Sequence, residues 1–134
     1  MIVADTNLVA YLLIDGVHTS VAKAVYARDD VWVVPPLWRA EFLNVLTNFV
    51  RAGLLTERQY RSVWRTAIEL LGTAEQEPDA FATLRHAVAR AISAYDAQFV
   101  VLARTLGTVL VTADRRLAQR CPEDAVLMTD YVAG

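Results

Sequence analysis

The chain has 134 residues with a net charge of −2, a sequence pI near 5.6, 55% hydrophobic residues and a mean hydropathy of +0.30. That length suits one domain over 1–134 with a sizeable core; the balance excludes a polycation, so nucleic acid would have to bind through a local patch. The uncharged runs reach only nine residues, as in Thr6 to Ile14 and Phe42 to Val50, about half of what a membrane-spanning helix needs.

"IVAD" (2–5) reads as a short buried strand and "TNLVAYLLID" (6–15) as a helix ended by Gly16. This N-terminal stretch lacks a basic region and is interrupted by Asp5, unlike a signal peptide. A helix over 19–29 and a strand "VWVV" (31–34) follow, the strand closed by Pro35 and Pro36. Helices over about 37–52 and 57–71 end at Gly53 and Gly72, and Thr56 with Gln59 forms a capping-box start for the second. Residues 73–79 read as a loop or a short edge strand. A helix covers about 79–91, and another begins after Ser93 and stops before Gly107. "TVLVT" (108–112) is a strand, "DRRLAQR" (114–120) a short helix and "AVLMT" (125–129) a final strand. Short strands that are apolar throughout and separated by helices predict a parallel sheet covered on both faces. Such sheets bind ligands beyond the carboxyl ends of their strands.

Glu41 is the residue that needs an explanation. It lies in "PPLWRAEFLNVLTNF" (35–49), where Leu37, Trp38, Val45 and Phe49 fall on or near its own helix face. A carboxylate on that face costs several kcal/mol without a partner. Three aspartates have blander explanations. Asp5 and Asp114 each follow a strand and open a helix, as N-caps do. Asp96 stands three residues after Ser93, in the form of a capping box. Yet Asp5 and Asp114 share the carboxyl edge of the sheet, and Asp96 and Glu41 lie near helix starts at that same edge. Four converging carboxylates repel one another unless cations intervene, and hard oxygen ligands suit Mg²⁺ or Mn²⁺. Isolated His18 and His86 lack zinc-ligand spacing. An acidic metal cluster serves phosphodiester hydrolysis, in which the ion acidifies a water and neutralises charge on the phosphate.

The runs "VADTN", "PPLWRAEFLNVL" and "SAYDAQFVVLARTLGTVLVTADRRLA", in this order, resemble the PIN domain, specifically the VapC ribonuclease toxins of bacterial toxin–antitoxin pairs. The resemblance covers nearly the whole chain. It implies a three-layer α/β/α sandwich around a parallel sheet of four to five strands, with an edge strand near Thr73–Glu77. It further implies that Asp5, Glu41, Asp96 and Asp114 form the Mg²⁺/Mn²⁺ site, supported by Thr6, Asn7 and Thr112. Relatives often carry a further acid two residues past the last aspartate; here Arg115, Arg116 and Leu117 follow, which leaves one metal or two open. Arg115 and Arg116 fit a solvated helix face or contacts to RNA phosphate. The resemblance also implies RNA as substrate, a VapB-like antitoxin over the groove and a homodimer; Trp38, Tyr60 and Trp64 fit such surfaces or ordinary core packing.

Other acid-gathering folds fit less well. A receiver domain needs a lysine at a late strand end, but the one lysine is Lys23, beside twelve arginines. Codon usage accounts for that arginine excess more simply than function. A haloacid-dehalogenase-like phosphatase needs Asp-x-Asp where the chain has Asp5-Thr6-Asn7. The standing alternatives are a non-catalytic PIN-like module that binds RNA or protein, and a housekeeping RNA-processing nuclease without an antitoxin. An open reading frame for a small DNA-binding protein just upstream would separate them. Cys121 has no partner for an internal disulfide, so a reducing cytoplasm is the expected compartment.

Overall fold

Strands of two or three residues are enough here because both faces of the sheet are buried. In β1 (Ile2–Ala4) successive side chains point to opposite faces: Ile2 and Ala4 join one apolar core and Val3 the other. The same division separates Trp32 from Val33 in β2 (Trp32–Val33) and Val111 from Leu110 in β3 (Leu110–Thr112). With β4 (Ala125–Leu127) these form a four-stranded, wholly parallel sheet in the order β2-β1-β3-β4. The computed structural model describes residues 1–134.

One core is closed by α1 (Thr6–Leu13), α2 (Thr19–Arg28), α3 (Trp38–Arg51), α4 (Glu57–Leu71) and α8 (Met128–Ala133). The other is closed by α6 (Ala94–Thr105) and α7 (Arg115–Arg120), with α5 (Ala80–Arg90) packed along α6. The result is the expected α/β/α sandwich. Trp38 is fully buried; its ring stacks on Trp64 with centroids 5.9 Å apart, and Phe42 lies against both. Trp38 is therefore core, with Trp64 and Tyr60 packed onto that core, and ordinary packing accounts for all three.

Three local readings need correction. The expected edge strand at Thr73–Glu77 is reduced to a single parallel bridge between Val34 and Glu75. Glu75 is held there by its side chain: Arg39 grips it with two hydrogen bonds and Trp38 Nε1 donates a third. The last strand stops at Leu127 rather than 129, where its pairing with Thr112 ends, and the chain turns into α8, which buries Met128. The expected box at Ser93 and Asp96 is half formed. Ser93 Oγ accepts from Asp96 N–H at 3.0 Å, but the Asp96 carboxylate does not return to the Ser93 backbone N–H. The Thr56–Gln59 box closes in both directions.

Candidate active site

The carboxyl ends of β1 and β3 lie side by side, because Ala4 pairs with Val111. Asp5 leaves β1 at that edge and caps α1, its Oδ1 accepting from Leu8 N–H at 2.7 Å. Its Oδ2 accepts from the Thr112 hydroxyl at 2.5 Å and Ala113 N–H at 3.0 Å. The same Thr112 Oγ1 accepts from Asp114 N–H at 2.9 Å, so one buried hydroxyl ties the two strand ends together. Asp114 caps α7, accepting from Leu117 N–H at 3.1 Å. The cap readings of Asp5 and Asp114 are thus correct as geometry, and the carboxylates still face a cleft.

That cleft, of about 440 Å³, is lined by Asp5, Thr6, Asn7, Glu41, Asp96 and Asp114 together with an apolar wall from α3 and α6. Glu41 is half-buried on α3, and the Thr6 hydroxyl donates to its Oε1 at 2.8 Å. Thr112 lies beneath the surface. Arg116 borders an adjoining groove with Asp96 and Asp114, whereas Arg115 lies away from the acids in a shallow depression with Asp130. His18 packs on Tyr11, and neither histidine lines the cleft.

Burial pushes the Asp5 carboxyl above its ordinary range; Thr112, Leu8 and Ala113 pull against that by hydrogen bonding, and the charge of Asp114 adds to the rise. Glu41 is raised by burial, against the pull of Thr6, and further by Asp96 and Asp5. Asp96 is raised by burial and by Asp114, with Ser93 opposing. Asp5, Glu41 and Asp96 are each raised in part by a neighbouring carboxylate acting as a like charge. None of the four has an ion-pair partner, although the other acids that are not exposed are paired, Asp29 with the N-terminal ammonium and Asp124 and Glu75 with arginine. Asp124 is held by Arg90 at 3.1 Å and Arg104 at 3.3 Å, and Glu75 by Arg39 at 2.7 Å.

Four unpaired carboxylates are a donor set for a hard divalent cation. No three Asp, Glu, His or Cys side chains converge closely enough to enclose an ion as they stand. Asp5 spends both oxygens on protein donors and Glu41 spends one. Asp96, whose carboxylate accepts no backbone bond, is the freest to turn inward.

Asn44 and Tyr95 also line the cleft, and neither was singled out in the sequence. Asn44 is one helical turn beyond Glu41, and Tyr95 precedes Asp96; helical spacing from the acids would have found the first.

Residues 2–121 match the family model described as "PIN domain". The chain is 30% identical over 128 residues to Ribonuclease VapC3 of Pyrobaculum aerophilum, covering 90% of this chain and 95% of that protein. Its fold is similar to the crystal structure of PAE2754 from Pyrobaculum aerophilum, with a TM-score of 0.76 and 20% identity over 98% of this chain and 92% of the other.

Proposed function

The chain belongs to the PIN-domain family, and on that premise we propose that it is a metal-dependent endoribonuclease, the toxin of a VapBC-type pair. The observation that carries this reading is the cleft with four carboxylates and no balancing guanidinium on any of them. Similarity to a protein named a ribonuclease supports RNA as the substrate.

In this reading Asp5, Asp96 and Asp114 would hold Mg²⁺ or Mn²⁺, with Glu41 beside them. When bound, the ion acidifies the attacking water and neutralises charge on the phosphate. Glu41 takes the proton: Thr6 fixes its Oε1 and leaves Oε2 free, and burial among like charges makes that oxygen a better base than an ordinary glutamate. The Thr112 hydroxyl and the Leu8 and Ala113 amides hold the Asp5 carboxylate in one orientation, so that it does not turn during the reaction. Asn7, at the cleft rim, offers an amide to a phosphate oxygen or a water.

A VapB-like antitoxin covering the groove, a homodimer and a cytoplasmic location complete the proposal. Phe81, Leu84 and Val88 expose one apolar stripe along α5, at 72%, 61% and 77%, a face of the kind that pairs with another chain. No helix is long and apolar enough to cross a membrane.

The test is expression of the chain with and without the small protein encoded beside it, with 5′ ends of cellular RNA mapped after induction. Growth arrest with discrete new RNA ends, relieved by the partner, is expected. Harmless expression of the folded, unmutated chain would favour a housekeeping or non-cleaving RNA-binding role.

A further inference from the structure

Two grooves meet at the carboxylates, and they differ in chemistry. The main cleft extends from Asp96, Asp114 and Leu117 toward α3; Tyr95 stands on its wall with 63% of its surface exposed, and Asn44 lies across from the acids on α3. A second groove of about 240 Å³ shares Asp96, Asp114 and Leu117 but runs the other way along α7, past Arg116 and Arg120 to the Ala91–Ser93 turn. Arg120 is committed to the protein: its Nη1 donates to the carbonyls of Ala91 at 2.9 Å and Arg90 at 3.4 Å, which fixes the rim. Arg116 is in neither an ion pair nor a hydrogen bond, although two carboxylates line the same groove. A free guanidinium beside unpaired acids is a fork for an incoming anion.

An RNA strand presents two chemistries within one nucleotide, an aromatic base and a charged phosphate. Next to four carboxylates a phosphate needs a cation of its own. The base needs an aromatic face, and Tyr95 has no aromatic partner in the protein. Resting on the ribonuclease reading, we propose that Arg116 seats the backbone phosphate adjacent to the one being cut, while Tyr95 stacks on a base on the other side of the acids. The strand thereby crosses the carboxylates in one fixed sense, base on the α3 side and phosphate on the α7 side. Arg115, one residue earlier, points to the separate depression with Asp130 and takes no part.

The test is anisotropy of fluorescein-labelled oligouridylate, and of an abasic strand of equal length, against the whole chain in Ca²⁺, a hard cation that occupies oxygen sites. Arg116→Gln should weaken both strands about 5- to 10-fold and reduce the slope of log affinity against log salt by about 0.7, the value for one phosphate on a single strand. Arg115→Gln, the same charge change on the same helix, should leave that slope unchanged. Tyr95→Ala should weaken the oligouridylate by about 5- to 100-fold and leave the abasic strand unaffected. Melting curves of each variant serve as the folding control. Equal effects from the two arginine variants, or an equal loss on both strands at Tyr95, would overturn this inference alone. Folded wild-type protein that bound neither strand would overturn the nucleic-acid reading and this inference with it.

Discussion

Thr112→Val removes one hydroxyl and changes the side chain's shape very little. Thr112 is fully buried; its Oγ1 donates to Asp5 and accepts from Asp114 N–H. Valine deprives the Asp5 carboxylate of a donor and leaves the Asp114 amide without an acceptor. A hydrogen bond to a charged group contributes about 1.5–3 kcal/mol, and a stranded buried amide costs about 1–3 kcal/mol. The added methyl returns about 1 kcal/mol, so the net loss at neutral pH is about 1.5–5 kcal/mol. With an unfolding entropy near 0.28 kcal/mol/K for a chain of this length, Tm should fall by about 5–18 °C. The hydroxyl favours the charged form of Asp5, whose carboxyl burial holds above 3.8. The deficit is therefore full above the raised pKa and shrinks as pH falls through it toward 4. Circular-dichroism melting in EDTA at pH 7.5 and pH 4 measures both, and Thr112→Ser, which keeps the hydroxyl, should recover most of the loss. A valine variant melting within about 2 °C of wild type at pH 7.5, or a deficit equal at the two pH values, would refute the account of Thr112.

Glu41→Gln keeps the acceptor for Thr6 and removes a charge that Asp96 and Asp5 repel; the metal-free protein should melt at the same temperature or a few degrees higher, with cleavage down at least about 100-fold. The wild type should show the same relief on acidification: protons bind the folded state more tightly at Asp5, Glu41 and Asp96, so metal-free stability should rise as pH drops from 7 toward 4. Asp114→Asn should preserve the cap on Leu117 and the metal-free Tm while losing Mn²⁺-induced stabilisation, whereas Asp114→Ala should also cost about 1 kcal/mol, read as about 4 °C; Mn²⁺ stabilisation and activity surviving in the Asn variant would leave Asp114 a cap only. Ala91 closes α5 at φ 53°, a left-handed conformation that glycine adopts freely, so Ala91→Gly should raise Tm by about 2–4 °C, equivalent to about 0.5–1 kcal/mol; an unchanged or lower Tm would contradict it.

The sheet was legible in the sequence because strands buried on both faces read as unbroken apolar runs, as "IVA" and "LVT" do. Asp5 and Asp114 were legible for a related reason: in a parallel sheet a residue just past a strand lies at the carboxyl edge. Asp96 could be placed once its helix was taken to run back along the sheet. Length was harder to read. "AVLM" is apolar without a break, and only pairing with β3 decides that the strand stops at Leu127 and Met128 starts a helix. Glu75 bridges Val34 because Arg39 and Trp38, distant in sequence, hold its carboxylate. Arg115 and Arg116 look alike in the sequence and face different surfaces; the orientation of α7 separates them.

The chemistry of the RNA ends tests the central claim most directly. Hydrolysis by water in a site of carboxylates and a cation, as proposed, would leave a 5′-phosphate, whereas attack by the RNA's own 2′-hydroxyl needs no such cation and leaves a 5′-hydroxyl and a cyclic phosphate. Purified chain, freed of any partner, is incubated with total RNA in EDTA, then with Mg²⁺ or Mn²⁺ restored, and the new ends are captured with a ligase specific for 5′-phosphate. Expected are no cleavage in EDTA, cleavage on metal addition with ligatable 5′-phosphates, and, in Asp96→Asn, neither the metal-dependent cleavage nor the 5′-phosphate ends. Undiminished cleavage in EDTA yielding 5′-hydroxyl ends would contradict that claim.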